Sequence, residues 1–401
     1  MNAISKRWTV PAALGTAAVA LVGAAWFGVT AGHDKGDGGD NNNGFAALPS
    51  AAPAKLSISD GATGVAPDTP LTLTAPAGER LGAVLVAAQA NVVAGAFSAD
   101  HRTWTQTGHL KFDTTYAVSA VTEAADHTAL GLQNSNFVTG PAPAKQISFQ
   151  QIAPNDGETV GVGQPVVLYF SNPVTNRAAV EAALQVTSVP AQAGHWSWLS
   201  DSRVDYRPQS YWKPGTKVSV QLGLNGVDAG DGRFGAADKA LSFTVGRDQE
   251  TTVNVSTDQA VVYRDGKQYG SFPVTGGMPG LDTWGGTFAV MDKAPDVHMD
   301  SRTAGLGDEY DIPDVKWDVH ITSSGTYIHA APWSVDAQGV RNVSHGCIGT
   351  SNDEAEWFFN STLPGDVVRV TTRPRTGAPG NGYNDWTTSW TQWLAGSAIP
   401  S

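Results

Sequence analysis

The sequence has only one cysteine, Cys347, in 401 residues. A single cysteine excludes an intramolecular disulfide framework, and it excludes any zinc site that needs a pair of cysteines. In an exported protein, a lone cysteine is a reactive thiol whose presence needs an explanation. Cys347 is therefore the first candidate for chemistry, and the alternative is a small buried thiol with a structural role.

Basic charge is also scarce. The chain has 25 Lys and Arg against 37 Asp and Glu, a net charge of −12, and its longest basic cluster is Lys6-Arg7. Nucleic-acid binding needs a concentrated basic face, so we expect no nucleic-acid partner. Forty-one per cent of the residues are hydrophobic, which is enough to fill several cores, and the length predicts two to four domains.

The N-terminus predicts export. Residues 1–32 hold a short basic region, and an uncharged, mostly apolar run follows over residues 8–32. About twenty such residues can span a bilayer, whereas a cleaved signal peptide usually has a shorter apolar core. We favour a membrane-spanning signal anchor over a cleaved signal peptide, and either one places the rest of the chain in the extracytoplasmic cell envelope. Residues 33–51 are typical of a flexible polar linker.

The next region is rich in short runs of β-branched and aromatic residues that are separated by turn residues. It also repeats, because "DGATGVAPDTPLTL" from Asp60 resembles "DGETVGVGQPVVLYF" from Asp156. The offset between the two is about the length of one immunoglobulin-like (Ig-like) sandwich. We predict two Ig-like β-sandwich domains, at 52–143 and 144–247.

A third region, 248–372, adds further strands and one clear helix over 351–362. Ser351 is its candidate N-cap, and Glu354 is the capping-box partner. The aromatic tail, 373–401, is predicted to pack on this domain. The predicted fold is therefore mainly β: two sandwiches and a β-rich domain with one or two short helices, preceded by a transmembrane or signal helix.

Two histidines lie near the cysteine in sequence. His329 is at the end of a predicted strand, and His345 precedes Cys347 by two residues. Residues i and i+2 of an extended segment point to the same side, so spacing alone does not choose the base. Gly346 permits a tight turn whose backbone N–H groups would point at a carbonyl oxygen. The same residues are equally compatible with a buried thiol beside two structural histidines.

The surrounding sequence resembles a known family. The stretch 324–347 reads "SGTYIHAAPWSVDAQGVRNVSHGC", and with 298–307, 356–370 and 385–396 it resembles the L,D-transpeptidases. Their catalytic fold is called the YkuD domain. The likeness is to the actinobacterial, mycobacterial-type branch, in which an anchor and two Ig-like domains precede the catalytic domain. It covers residues from about 50 to 401.

The resemblance implies a role for each residue of the motif. Cys347 would be the nucleophile and His329 its base, with the carbonyl of Ala330 orienting the imidazole. The N–H groups of Gly346 and Cys347 would bind the oxyanion. Ser344 and His345 would brace the loop.

It also implies a substrate cleft lined by Met299 and Trp333, under a flap that carries Gly305 and Gly307. Arg341 could meet a substrate carboxylate. The sequence departs from the family at two positions: Gly349 stands where Asn or Arg is common, and Ser323 stands where the branch has a cleft tyrosine. The predicted substrate-binding residues are Met299, Ser323, Tyr327, Trp333, Arg341 and Gly349.

The implied reaction is cysteine acyl transfer between peptidoglycan stem peptides, without a metal or cofactor. A tetrapeptide donor would lose D-Ala, form a thioester and be passed to an amine of a second stem, giving a 3→3 cross-link. Carbapenem β-lactams would acylate Cys347. The alternatives are an L,D-carboxypeptidase, another cysteine wall peptidase or a sortase-like ligase, and a non-catalytic wall-binding protein. A sortase-type site depends on an arginine well after the cysteine, and Arg369 and Arg373 are weak candidates for it.

Overall fold

A computed structural model describes residues 52–89, 91–371 and 376–400 of the chain. These residues divide into two compact units, the first ending at Ala142 and the second beginning at Pro143. The predicted membrane or signal segment at 8–32 and the linker at 33–51 lie outside the described residues. Within the described ranges, no helix is both long enough and apolar enough to cross a bilayer. The predicted domain boundaries remain predictions.

The first unit is a β-sandwich. Its sheets have the strand orders β2-β9-β8-β4-β5 and β1-β3-β7-β6. The inward side chains of Tyr116 and Phe137 from one sheet and Leu73 and Trp104 from the other share one buried core, as alternation along each strand requires. The strands are β1 (Lys55–Leu56), β2 (Ala62–Val65), β3 (Thr72–Thr74), β4 (Arg80–Ala88), β5 (Asn91–Val92), β6 (Gly95–Phe97), β7 (Thr103–Gln106), β8 (Thr115–Glu123) and β9 (Ala129–Thr139).

The second unit begins with another sandwich, which includes one short helix, α1 (Arg177–Ala182). Its sheets have the orders β11-β13-β16-β15, β12-β20-β17-β14 and β10-β19-β18. Trp196, Trp212 and Phe170 fill its core, where an antibody domain would place a disulfide. The strands are β10 (Gln146–Ile147), β11 (Phe149–Ala153), β12 (Thr159–Val160), β13 (Val166–Phe170), β14 (Leu184–Val189), β15 (Gly194–Ser200), β16 (Arg203–Pro208), β17 (Lys217–Leu222), β18 (Asp228–Gly230), β19 (Arg233–Gly235) and β20 (Lys239–Val245).

Two more sheets follow, with the orders β23-β22-β21-β29-β24 and β25-β26-β27-β28. The strands are β21 (Gln249–Asn254), β22 (Gln259–Arg264), β23 (Lys267–Pro273), β24 (Gly286–Ala289), β25 (Asp292–Asp300), β26 (Asp311–Thr322), β27 (Thr326–Ala330), β28 (Ile348–Thr350) and β29 (Val367–Thr371). The helices are α2 (Asn352–Ser361) and α3 (Trp390–Ala395), with 3-10 turns at Ser301–Ala304, Pro332–Ser334 and Asp385–Thr387. The prediction of a mainly β fold with few helices is confirmed.

The four-stranded sheet has one face in the core. Val319, Ile328 and Ile348 lie in register on β26, β27 and β28, and all three are almost completely buried. Because successive side chains alternate, the residues on either side of them in sequence point to the opposite face. Helix α2 packs against β26 and β27 and starts at the predicted capping box, with the Ser351 hydroxyl accepting from the N–H of Glu354. This arrangement fixes which side chains are left to form a site.

The C-terminal tail is held by a buried cation. The guanidinium of Arg207 on β16 lies 4.6 to 5.2 Å from the ring centres of three tail tryptophans, Trp386, Trp390 and Trp393. It also donates to the carbonyl of Thr388 at 2.8 Å. A guanidinium can stack on several rings while it hydrogen bonds in its own plane. Arg207 therefore ties the tail to the sandwich of the second unit.

The tail also reaches the sheets that follow this sandwich. The backbone N–H of Thr287 on β24 donates to the Thr387 hydroxyl at 2.8 Å, and the indole of Trp386 donates to the carbonyl of Gly163 at 2.7 Å. The indole of Trp393 donates to the carbonyl of His195 at 2.8 Å. The tail thus bridges the sandwich and the five-stranded sheet.

We expect Arg207→Lys to lower the free energy of unfolding by about 2 kcal/mol, because a lysine keeps the charge but loses planar stacking on three rings. Urea denaturation followed by tryptophan fluorescence measures the change. The matched control is Arg369→Lys, at an exposed ion pair with Glu250 at 3.4 Å, where we expect a change below about 0.5 kcal/mol. Equal effects of the two substitutions would contradict the role given to Arg207.

Candidate active site

His329 occupies the C-terminal half of β27 and is only 4% exposed. Its Nδ1 lies 2.8 Å from the carbonyl oxygen of Ala330. A carbonyl oxygen only accepts hydrogen bonds, so Nδ1 carries the proton and Nε2 keeps a lone pair. Burial lowers the pKa of His329 to about 4, against a small opposing effect of the Ala330 carbonyl. The ring is neutral at pH 7 and can accept a proton at Nε2.

Cys347 lies just before β28, which pairs in parallel with β27 through Ile328 with Ile348 and His329 with Gly349. Cys347 is two residues before Gly349, so its side chain points to the same face of the sheet as that of His329. The half-buried thiol donates to the carbonyl of Gly325 at 3.5 Å. Burial raises the pKa of the Cys347 thiol to about 11, although the N–H of Tyr327 acts in the opposite direction. The resting site therefore pairs a neutral thiol with a neutral imidazole.

The loop that carries the thiol is held by Ser344. The Ser344 hydroxyl donates to the carbonyl of Cys347 at 2.6 Å and accepts from the N–H of Gly346 at 3.1 Å. The φ angle of Gly346 is +125°, a conformation that side chains with a Cβ rarely adopt. Among the described residues, the N–H of Cys347 has no hydrogen-bond acceptor, whereas that of Gly346 is occupied. Of the two predicted oxyanion donors, only the N–H of Cys347 is therefore free within the described part of the chain.

The second histidine, His345, contacts an aromatic ring. Its ring packs at a tilt against Tyr310, with 4.9 Å between ring centres. His329, in contrast, is locked by its own strand and by the carbonyl of Ala330. This difference supports His329 as the base. The roles of His329 as the base and of His345 as a brace of the loop remain predictions.

The thiol opens into a cavity of about 300 Å³. Six residues predicted from the sequence line it: Met299, His329, Trp333, Ser344, His345 and Cys347. Six further lining residues were missed: Thr275, Tyr310, Ile312, Ala331, Ser334 and Val343. Tyr310 is three residues after Gly307 of the predicted flap, so its nearness in sequence could have identified it. Thr275 lies far from the motif in sequence and carried no signal.

Two of the predicted substrate-binding residues are engaged elsewhere. The Ser323 hydroxyl donates to the side chain of Asn381 at 3.1 Å and accepts from the N–H of Gly382 at 3.1 Å, so it binds the tail. Arg341 is exposed and pairs with Asp336 at 2.8 Å, on the loop between the two histidines. Neither side chain lines the cavity, and their predicted contacts with substrate are untested.

Tyr327 and Gly349 also lie outside the cavity lining. The Tyr327 ring stacks on His320 with 4.3 Å between ring centres. Gly349 is buried, and its backbone exchanges two hydrogen bonds of 2.9 Å with Thr275. A Cβ on Gly349 would lie 2.8 Å from the Cβ of Ala331, so the absence of a side chain here is a packing requirement.

Comparison with known proteins shows the family of the chain. Residues 62–228 match the family described as a bacterial Ig domain, and residues 248–370 match the L,D-transpeptidase catalytic domain. L,D-transpeptidase 2 of Mycobacterium tuberculosis (strain CDC 1551 / Oshkosh) is 36% identical over 358 residues, covering 85% of this chain and 84% of its own length. L,D-transpeptidase 5 of Mycobacterium tuberculosis (strain ATCC 25618 / H37Rv) is 36% identical over 351 residues, with 85% and 76% coverage. The chain belongs to the L,D-transpeptidase family.

Similarity extends to solved structures. The L,D-transpeptidase LdtMt1, solved in complex with imipenem, is 35% identical with a TM-score of 0.49, and the match covers 57% of this chain and all of that one.

We expect Gly349→Ala to destabilise the protein by about 1–3 kcal/mol, because the added methyl group meets Ala331 and Thr275 at 2.8 and 3.2 Å. The double variant Gly349→Ala/Ala331→Gly removes the closest contact and should recover part of the loss. Urea denaturation of the two single variants and the double variant measures this coupling. Additive losses would show that the clash is not the cause.

The pKa of His329 predicts an acid-sensitive fold. Because the folded value, about 4, lies below the ordinary value of 6.5, the unfolded chain binds the proton first as pH falls. Stability is therefore lost from about pH 6.5 down to about pH 4. Between pH 7 and pH 4 we expect the wild type to lose about 3 kcal/mol more than His329→Asn. Urea titrations at both pH values measure it, and equal losses would show that His329 is not buried in its neutral form.

Proposed function

We propose that this protein joins peptidoglycan stem peptides in the cell envelope by acyl transfer through Cys347, forming 3→3 cross-links. The observation that carries the proposal is the juxtaposition of the chain's only thiol with a neutral histidine on one face of a sheet, beside a cavity. A thiol needs such a neighbouring base to attack a carbonyl carbon.

In the first step the Cys347 sulfur attacks the carbonyl between the third residue of a tetrapeptide stem and its terminal D-Ala. The thiol proton passes to Nε2 of His329, whose Nδ1–H stays on the Ala330 carbonyl. The N–H of Cys347 donates to the oxyanion, and that of Gly346 joins it when the Ser344 hydroxyl turns away. His329 then gives its proton to the leaving amine of D-Ala, and a thioester remains on Cys347.

Proton transfer and attack are coupled in this scheme. With a thiol pKa of about 11 and an imidazole pKa of about 4, the sulfur holds its proton far more tightly than the ring would. A free thiolate is therefore rare before substrate binds. Mutual attraction of the two new charges, together with the oxyanion donor, offsets the cost as the carbonyl approaches.

In the second step an amine of another stem attacks the thioester. His329 removes a proton from that amine, the carbon–sulfur bond breaks, and the thiol is restored. The apolar side chains of Met299, Ile312 and Val343 line the cavity beside the sulfur. Their surfaces offer water no hydrogen-bond partner, which supports an amine acceptor over hydrolysis.

Carbapenem β-lactams fit the same chemistry. Attack of the Cys347 sulfur on the strained lactam carbonyl opens the ring and leaves a thioester, with every atom of the drug retained. The cavity that admits a stem carbonyl also gives the lactam carbonyl access to the sulfur.

The substrate places the protein outside the cytoplasm. The apolar run at residues 8–32 supports anchoring in the plasma membrane, or secretion if it is cleaved. The proposed organisation is two Ig-like domains at 52–143 and 144–247, a catalytic domain at 248–372, and a tail at 373–401.

We expect Cys347→Ala to abolish both cross-linking and the carbapenem adduct, and Cys347→Ser to lose most of both, because a hydroxyl is much harder to ionise than a thiol. Intact-mass spectrometry of the full-length protein measures the adduct, and muropeptide analysis of a tetrapeptide incubation measures dimer formation. Arg369→Gln, an exposed position on β29, is the matched control and should retain both. A wild-type protein without an adduct, or Cys347→Ala with the same adduct, would refute the proposal.

A further inference from the structure

A buried acid lies beside the proposed catalytic pair. Asp318 is on β26, where Val319 pairs with Ile328 of β27 and His320 pairs with Tyr327. The recorded pairing ends at Val319 and Ile328, and Asp318 and His329 are the next residues of the two strands beyond that pair. Facing residues on neighbouring strands point to the same side of a sheet, so Asp318 shares the face that holds the thiol.

Asp318 has no partner for its charge. Its side chain is completely buried, and neither carboxyl oxygen has a hydrogen-bond partner in any other residue that the structure describes. Two basic residues lie two positions away on its own strand. Lys316 is paired at the surface with Asp314 at 2.6 Å and Asp296 at 3.6 Å, and Nδ1 of His320 lies 3.1 Å from Asp292. Burying a carboxyl group without a hydrogen-bond partner costs free energy, and a carboxyl group with a purely structural role usually has such a partner.

The charged and titratable groups around Asp318 define when it ionises. Burial first, and then Asp296 on β25, raise the pKa of Asp318 to about 8, whereas its own backbone N–H and then Lys316 act in the opposite direction. From β27 it faces His329 and Tyr327, and the Cys347 thiol lies within electrostatic reach, since an ionised Asp318 raises the pKa of both Cys347 and Tyr327. Asp318 is therefore neutral at pH 7 and charged in mildly alkaline solution.

We propose that Asp318 is a positioning residue of the active site, whose carboxylate stabilises the imidazolium that His329 becomes when Cys347 gives up its proton. The proposal rests on the proposed function in taking Cys347 and His329 as the reacting pair. The proton moves from sulfur to Nε2, and the proton of Asp318 is lost to solvent as the pH rises.

Distance decides the sign of the effect. Side chains that face each other on neighbouring strands are about 5 Å apart, whereas Cys347 lies one strand further from Asp318 than His329 does. A carboxylate favours a nearby imidazolium and disfavours a nearby thiolate, and the closer group feels the larger effect. Ionised Asp318 thus favours the thiolate–imidazolium pair over the neutral pair.

Alkylation by iodoacetamide tests this directly, because Cys347 is the only cysteine and its rate reports the thiolate population. Rates are measured on the full-length protein from about pH 6 to 10, in the wild type and Asp318→Asn. We expect the wild-type rate to rise with an inflection near pH 8 that Asp318→Asn lacks. At pH 9 the wild type should react about fivefold faster than the variant, with equal rates at pH 6.

A second variant keeps the test valid if Asp318→Asn fails to fold. Asp296→Asn removes a surface charge that raises the pKa of Asp318, so it should shift the inflection to lower pH without abolishing it. An inflection that persists in Asp318→Asn, or a variant that reacts as fast at pH 9, overturns the proposal, and so does an unmoved inflection in Asp296→Asn. Alkylation needs no peptidoglycan, so a protein without cross-linking activity would still show the inflection, and the two failures are distinguishable.

Discussion

The parallel pairing of β27 and β28 is the constraint on which the site depends. Ile328 and Ile348 pair across it and are buried in the core, which leaves the alternate positions on the opposite face. Cys347 and His329 are eighteen residues apart in sequence, and this pairing alone makes them neighbours. Because a shift of one residue would turn one of the two side chains into the core, the hydrophobic packing of the isoleucines also sets the register of the proposed catalytic pair.

The resting chemistry follows from the same burial. Burial of the thiol and the imidazole keeps both groups neutral. The thiol is therefore weakly nucleophilic until a substrate binds. In an oxidising environment outside the cell, a low thiolate population also protects the cysteine from oxidation. The cavity thus makes Cys347 selective for partners that can supply the missing stabilisation when they bind.

Sequence reasoning went furthest where the signal was local. The alternation of the strands predicted a mainly β fold, and Ser351 and Glu354 predicted the start of α2 within one residue of where it lies. It failed where the determinant is a cross-strand neighbour. Neither the alignment of β26 with β27, which puts Asp318 and His329 on one face, nor the close approach of Ala331 to Gly349 can be read from spacing, because both depend on how separate strands align.

The stacking of three tail tryptophans on Arg207 limits where the chain can be truncated. Cutting the chain after β29 would remove the rings that cover this guanidinium and leave a buried cation open to water. A catalytic fragment that begins after β20 would in turn lose Arg207 and leave three indole rings bare. The smallest separable piece that keeps the active site is therefore the whole of the second unit, from Pro143 to the end of the tail.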